Sequence, residues 1–387
     1  MMLYKNICIV GAGYVGLAVS AHISSFAKVR LVEIDKTKLD NLVSSKPSLE
    51  TDIKKAFKSN LKNISFSDTY LDKDFDIFIL CLPTNLNFNN QLDTSVIEKS
   101  IADIRTYSKN PIIIKSTVPI GFTQSMNNRF NETKIFFAPE FLREGKGLAD
   151  CLSPSRIIIG SDDTQQTNEI ESLFKSNTLN NPNVIQMSTN EAEAAKLFSN
   201  LYLGMRVSFF NELDSFAFSW KLDSQKIIEG VSSDPRIGDF YNNPSFGFGG
   251  YCLPKDISEL SRTAKDDFQI LPSAVIESNF HRIKFIASKI LKMEKKNIGI
   301  YKPTMKKDSD NHRNSSVIEV AKILKKNNLN ILIFDQRKLC SRISEFQNTS
   351  NFKEFIKNTD LILANRLDPI LEPYSKKVFT RDIFKEN

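Results

Sequence analysis

The sequence predicts an α/β protein, from two strand-helix alternations and the break between them. Through the first part of the chain, fully apolar β-rich runs alternate with amphipathic stretches, and after about residue 296 a shorter alternation of the same kind begins. Between them, from Glu191, about thirty residues hold helical spacing with no Pro and one Gly. Apolar strands separated by helices indicate parallel sheets covered on both faces. The chain therefore divides into an N-terminal doubly wound, Rossmann-type parallel-sheet domain at 1–190 and a central helical segment with a long spine helix at 191–290, followed by a smaller C-terminal Rossmann-like α/β domain at 291–387.

Taken in order, the first domain's strands are expected at ICIV (7–10), KVRLVE (28–33), DIFILCL (76–82), PIIIK (111–115), KIFFA (134–138) and RIIIG (156–160). EAEAAKLFSNLYLGMRVSFFNELDSFAFSW, 191–220, exceeds an ordinary globular helix. Its pattern fits a spine with a subunit partner along it as well as it fits a plain core helix. NIGIY, a helix near SSVIEVAKILKKN, LNILIF, TDLILAN and KKVFT then form the second α/β unit.

At 387 residues, with 41% hydrophobic and 25% charged residues, the chain can bury more than one core. Its net charge is +7, but bases and acids are interleaved, as in KMEKK at 292–296, which indicates a solvated surface and not a nucleic-acid arm. A pocket for an anionic small molecule stays open. No apolar run approaches the roughly 18 residues of a membrane helix, and MMLYKNICIVGAG passes directly into a strand, so a cytoplasmic protein is expected. The five cysteines, Cys8, Cys81, Cys151, Cys252 and Cys340, are scattered without a CxxC, and so are His22, His281 and His312; neither a disulfide framework nor a metal centre is indicated.

GAGYVG at 11–16 follows the first strand and opens a helical run. In that context Gly11 would make the turn, Gly13 would let the backbone approach a pyrophosphate, and Gly16 would let helix and strand pack closely. Glu33 ends the second strand twenty residues beyond Gly13, where an acid accepts hydrogen bonds from an adenosine ribose. A carboxylate there repels a 2′-phosphate and favours NAD over NADP, although Lys36 and Lys38 nearby could offset the repulsion. Thr84 and Thr117 follow the third and fourth strands, outside the carboxyl ends where ligands of an open sheet gather.

Further on, APEFLREGKGLAD places Glu140 and Glu144 four apart; a helix would set them on one face, one turn of about 5.4 Å apart. Lys196 and Asn200 have the same spacing on the long helix. In SFGFGGYCLPKD, 245–256, Cys252 stands between a glycine-rich turn and Pro-Lys-Asp, a setting with no core periodicity. A free thiol is only a few per cent ionised at neutral pH, so a cation such as Lys255 beside it would help it act as a nucleophile.

IKSTVPIGFT, FAPEFLREGKGLADCLSPSRIIIG, EAEAAKLFSNLYLGMRVSFFNELDS, DPRIGDFYNNPSFGFGGYCLPKD and SDNHRNSS occur in this order across nearly the whole chain. Together they resemble the UDP-glucose/GDP-mannose dehydrogenase family, and within it the UDP-glucose 6-dehydrogenases of the shorter bacterial kind. FGGYCLPKD discriminates most, since the GDP-mannose and UDP-N-acetylmannosamine enzymes differ around the cysteine. The resemblance implies a four-electron oxidation of a sugar's primary alcohol to a carboxylate, with two NAD and one water and no metal. It makes Cys252 the nucleophile, with Lys196 and Asn200 on the oxygen that becomes charged. Asp256, with Thr117 and an ordered water, would move the proton, and Glu140 would assist thioester hydrolysis.

The resemblance also implies a sugar and UDP site at Glu140, Phe141, Leu142, Arg143 and Glu144, then at Tyr241, Asn242, Asn243, Pro244, Ser245 and Gly249, with Lys306 on the substrate. The NAD side would take Val15, Glu33, Lys38, Thr84, Thr117, Glu144, Lys255 and Arg313 besides the three glycines. Arg236 resembles an arginine that reaches a neighbouring subunit's sugar site, which implies a homodimer. The chain departs from its likenesses where relatives commonly carry Asp on the second strand, here Glu33 followed by Asp35, and at Lys302, Pro303 and His312, where they often show Arg, an apolar residue and Phe. The same mechanism on another nucleotide sugar, or a non-catalytic nucleotide-sugar binder, are the competing readings.

Overall fold

Runs of Ile, Val, Leu and Phe leave the central strands of this chain no solvent-facing side, and those strands are buried accordingly. A computed structural model of the chain describes residues 4–44, 51–71, 74–131, 134–143, 145–161, 163–263, 270–303, 315–335 and 345–385. They fall into two compact units, Met1–Leu197 and Phe198–Asn387.

The first unit holds an eight-stranded sheet: β1 (Asn6–Val10), β2 (Lys28–Val32), β3 (Ile64–Ser67), β4 (Ile77–Leu80), β5 (Ile112–Ile114), β6 (Ile135–Phe137), β7 (Arg156–Gly160) and β8 (Asn183–Met187). Their order is β3-β2-β1-β4-β5-β6-β7-β8. The chain leaves β1 in one direction for β2 and returns on its other side for β4, so the sheet has a switch point between β1 and β4, where a doubly wound fold binds its ligand. Every pairing in this sheet is parallel except that of β6 with β7, which run antiparallel through Phe137 and Gly160. The connection between those two carries only a six-residue helix, Gly147–Leu152, and does not recross the sheet.

The second unit has a five-stranded, all-parallel sheet: β9 (Asn297–Tyr301), β10 (Asn330–Phe334), β11 (Gln347–Thr349), β12 (Leu361–Leu363) and β13 (Val378–Phe379), in the order β11-β10-β9-β12-β13. The switch point here lies between β9 and β12. Its core joins Ile298, Ile300, Ile333 and Leu363 of the sheet to Val317, Val320 and Leu324 of the helix Ser316–Lys326.

The long helix runs from Thr189 to Trp220, thirty-two residues, and passes from one unit into the other. Ala192 and Leu197 are buried near its start, Leu201, Phe210 and Ala217 farther along. Phe198, Tyr202, Phe209, Phe216 and Trp220 recur at intervals of four and seven, which keeps them on one stripe, and each is at least half exposed. No helix among the described residues is long and apolar enough to cross a membrane.

Candidate active site

At the switch point of the first sheet the backbone geometry requires glycine. Gly11 has φ +101°, and a Cβ there would lie 2.5 Å from the carbonyl oxygen of Cys81; a Cβ on Gly16 would lie 1.9 Å from the carbonyl oxygen of Gly11. A Cβ on Gly13, by contrast, would meet nothing within 4 Å. Open space over Gly13 is what an approaching pyrophosphate needs. Gly13 is also the N-cap of the helix Tyr14–Ile23, with no side-chain cap, and a helix N-terminus favours an anion. Val15 lies half-buried in that turn.

Beside the switch point Ser116 Oγ accepts the Leu82 N–H at 2.8 Å and ties the loop after β4 to the loop after β5. Those loops bear Thr84 and Thr117, both buried. Glu33 follows β2, and its Oε1 accepts the Asp35 N–H at 3.0 Å while Lys38 Nζ stands 3.8 Å from Oε2. Asp35 is already engaged, because its side chain caps the helix Lys36–Val43 through the Lys38 N–H. The observed geometry fits a dinucleotide along β1, β2 and β4.

Beyond β6 the segment 138–143 forms no helix, so the expected pairing of Glu140 with Glu144 on one helical face does not arise. Glu144 itself lies outside the described residues, as do Lys306, His312 and Arg313. Glu140 is held at both ends. Lys196 Nζ donates to its carbonyl oxygen at 2.5 Å, and Lys115 Nζ stands 3.1 Å from its Oε2. Phe141 takes two cations over its ring, with the Arg156 guanidinium 3.9 Å and Lys196 Nζ 5.0 Å from its centroid. Leu142 packs on the main core cluster, and Arg143 makes a forked ion pair with Asp150. Lys115 was not among the residues expected here. Its signal was legible, since a lysine directly after the apolar run PIII must be buried with a partner.

In the second unit Cys252 is the exposed first residue of the helix Cys252–Thr263. A helix N-terminus carries partial positive charge, which favours an anionic sulfur. Lys255 follows within one turn, buried, its ammonium 5.1 Å from the Tyr251 ring centroid. Burial pushes Lys255 toward neutrality, but Asp256 and Cys252 overcome it, and its pKa is raised above the ordinary value. Asp256 is fully buried: Lys255 Nζ lies 2.5 Å from one carboxylate oxygen, and Asn200 Nδ2 donates to the other at 2.5 Å. Lys196 and Asn200, one turn apart on the long helix, thus serve different partners.

The loop that presents the thiol is clamped by amides and guanidinium groups. Asn211 accepts the Ser245 N–H at 2.8 Å, Asn279 accepts the Phe248 N–H at 2.7 Å, and Arg282 donates to the Ser245 carbonyl. Arg282 is in turn paired with the buried Asp214, 2.6 Å away, which also takes Arg381. Asn242 donates to Ser232, Asn243 to Asp382, and Arg366 donates to the Pro244 carbonyl. Tyr241 is exposed at φ +55°, and Gly249 is half-buried. Arg236, exposed, is held by both oxygens of Asp234, while Arg206 fixes the same loop through the carbonyls of Ile237, Gly238 and Phe240. Among the described residues no group of three or more His, Cys, Asp or Glu could hold a metal ion.

Residues 5–178 match the NAD-binding domain, and residues 190–280 the central domain, of the UDP-glucose/GDP-mannose dehydrogenase family. The chain is 42% identical to a UDP-glucose 6-dehydrogenase of Campylobacter jejuni, over 98% of this chain and 99% of that one. The chain belongs to the UDP-glucose/GDP-mannose dehydrogenase family. A UDP-glucose 6-dehydrogenase of Streptococcus pneumoniae is 37% identical over 98% of this chain and 99% of its own. The family resemblance read from the sequence is thereby borne out, and the family's NAD-binding domain makes this an NAD-dependent oxidoreductase. The fold agrees as well: a UDP-glucose dehydrogenase of Pyrobaculum islandicum superposes with a TM-score of 0.88 at 23% identity, covering 99% of this chain and 95% of that one.

Proposed function

We propose that this family member oxidises the primary alcohol of UDP-glucose to a carboxylate, giving UDP-glucuronate, through a covalent adduct on Cys252. The observation that carries the reading is an exposed cysteine at a helix N-terminus, followed within one turn by a buried ammonium whose pKa, against burial, is raised by Asp256. NAD, when bound, accepts one hydride in each of two oxidations. An aldehyde has no second hydride to give until a nucleophile adds to it, and a thiolate supplies that step. The Cys252 sulfur forms a bond to the aldehyde carbon; loss of hydride from this thiohemiacetal leaves a thioester, and water then cleaves the carbon–sulfur bond.

In this reading Asp256, with Thr117 and a water, takes the hydroxyl proton in the first oxidation. Lys196 and Asn200 donate to the oxygen that becomes charged, and Glu140 takes a proton from the hydrolytic water. Glu33 binds the adenosine ribose in preference to Asp35, whose side chain is used as a helix cap. Tyr241 to Ser245, Gly249 and Phe141 to Arg143 are assigned to the nucleotide sugar. Glu144, Lys306 and Arg313 keep the roles that the family resemblance gives them. A homodimer fits the exposed aromatic stripe on the long helix, with Arg236 serving the other subunit's sugar site.

Stoichiometry tests this directly. Absorbance at 340 nm should report two NADH per UDP-glucose consumed, with UDP-N-acetylglucosamine and GDP-mannose giving little. Equal turnover of either competitor would reassign the substrate, and tight sugar binding without NADH would make the protein a binder.

A further inference from the structure

The PIIIKST run places a cation where an apolar strand ends, and the Lys115 side chain is only 7% exposed. A buried ammonium costs several kcal/mol unless it is paired. Three partners share it: Glu140 Oε2 at 3.1 Å, the Ala138 carbonyl at 3.2 Å and the face of Phe174, 4.4 Å from the ring centroid. Glu140 Oε1 accepts its neighbour's N–H, from Phe141, at 2.9 Å. Both carboxylate oxygens are therefore anchored, and Lys115 supplies the charged anchor. The ionisable groups around the pair are poor competitors for it. Burial lowers the pKa of His22, whose Nε2 is 2.8 Å from the Ser176 carbonyl oxygen, and raises those of the Cys81 and Cys151 thiols. Lys196 donates to the Glu140 carbonyl, Arg156 lies over Phe141, and Asp150 is taken by Arg143.

We propose that Lys115 is a positioning residue for thioester hydrolysis, fixing the Glu140 carboxylate in the orientation that accepts a proton from the attacking water. This rests on the role given to Glu140 above. Water's oxygen bonds to the acyl carbon, its proton passes to Glu140, and the carbon–sulfur bond breaks with the electron pair returning to Cys252. A general base contributes about 10²- to 10⁴-fold, so misplacing it should slow this step and leave the hydride transfers largely intact.

The test is rapid quenching of enzyme with saturating NAD and UDP-glucose, followed by mass analysis of the Cys252 peptide, for the wild type, Lys115→Met and Lys115→Arg. Lys115→Met should lengthen the lifetime of the acyl adduct by roughly tenfold or more and preserve the early burst of NADH. Lys115→Arg, which keeps the charge, should recover most of the rate. In a Glu140→Gln background the added Lys115→Met should change the lifetime by less than about twofold, since coupled groups are non-additive. An adduct in both proteins with the same lifetime would sink this inference alone, as would a Lys115→Met effect undiminished in Glu140→Gln. If the wild type forms no adduct at all, the reading of Cys252 fails and this inference with it. Should Lys115→Met not fold, Lys115→Arg in the two Glu140 backgrounds decides: a lifetime close to the parent's in both upholds charge-based positioning, and equal slowing in both overturns it.

Discussion

Asp256 has no exposed surface, yet it stays among polar partners: an ammonium on one oxygen and an amide on the other. That arrangement explains how a carboxylate survives burial, because each lone pair that leaves water gains a strong donor. Against the effect of burial, it also helps hold the Lys255 pKa above its ordinary value. At the cofactor end single atoms decide as much. Gly16→Ala would gain about 1 kcal/mol of helix propensity, but its Cβ would sit 1.9 Å from backbone that cannot yield, and overpacking of that kind costs about 1–3 kcal/mol. Loss wins. Titration of Gly16→Ala with NAD should show an affinity about tenfold weaker or worse and a lowered Tm; unchanged values for both would mean that the turn relaxes freely.

On the scale of elements, the helix Thr189–Trp220 supplies Glu193, Lys196 and Asn200 at intervals of three and four, one polar stripe that is buried throughout. Glu193 is the surprise among them. Its carboxylate accepts the Gly121 and Thr123 N–H groups at 2.6 and 2.8 Å, and so caps the helix Phe122–Arg129, whose own N-cap is a glycine without a side chain. Glu193→Ala should destabilise the protein by about 1–2 kcal/mol, the usual effect of removing a cap, read as a lowered denaturation midpoint, whereas Glu193→Gln should recover part of it. No change in midpoint would remove the cap from the account. Strands β1, β2, β4, β5, β6, β7, β9, β10, β12 and β13 were legible as apolar runs, but β3, β8 and β11 were not. All three stand at sheet edges, where one side meets solvent and ISFS, NVIQM or QNT suffices. The reversal of β7 against β6 rests on a single residue pair that no local pattern encodes.

For the whole molecule, two largely parallel sheets with the same kind of switch point bracket one long helix in sequence, and this much followed from hydrophobic periodicity. Periodicity cannot give partners. That Lys196 binds the Glu140 backbone while Asn200 binds Asp256 depends on tertiary packing, and so does the use of Asn243 and Ser245 in clamping their own loop. The chemistry-bearing residue types were nonetheless visible, because a cysteine among glycines and a Pro-Lys-Asp has no place in a core. Everything assigned to them depends on the sulfur at position 252. Cys252→Ser, assayed for NADH release from NAD and UDP-glucose, is the most direct test. The account predicts retained binding of both ligands with net turnover abolished, and turnover at the wild-type rate in that variant would contradict it.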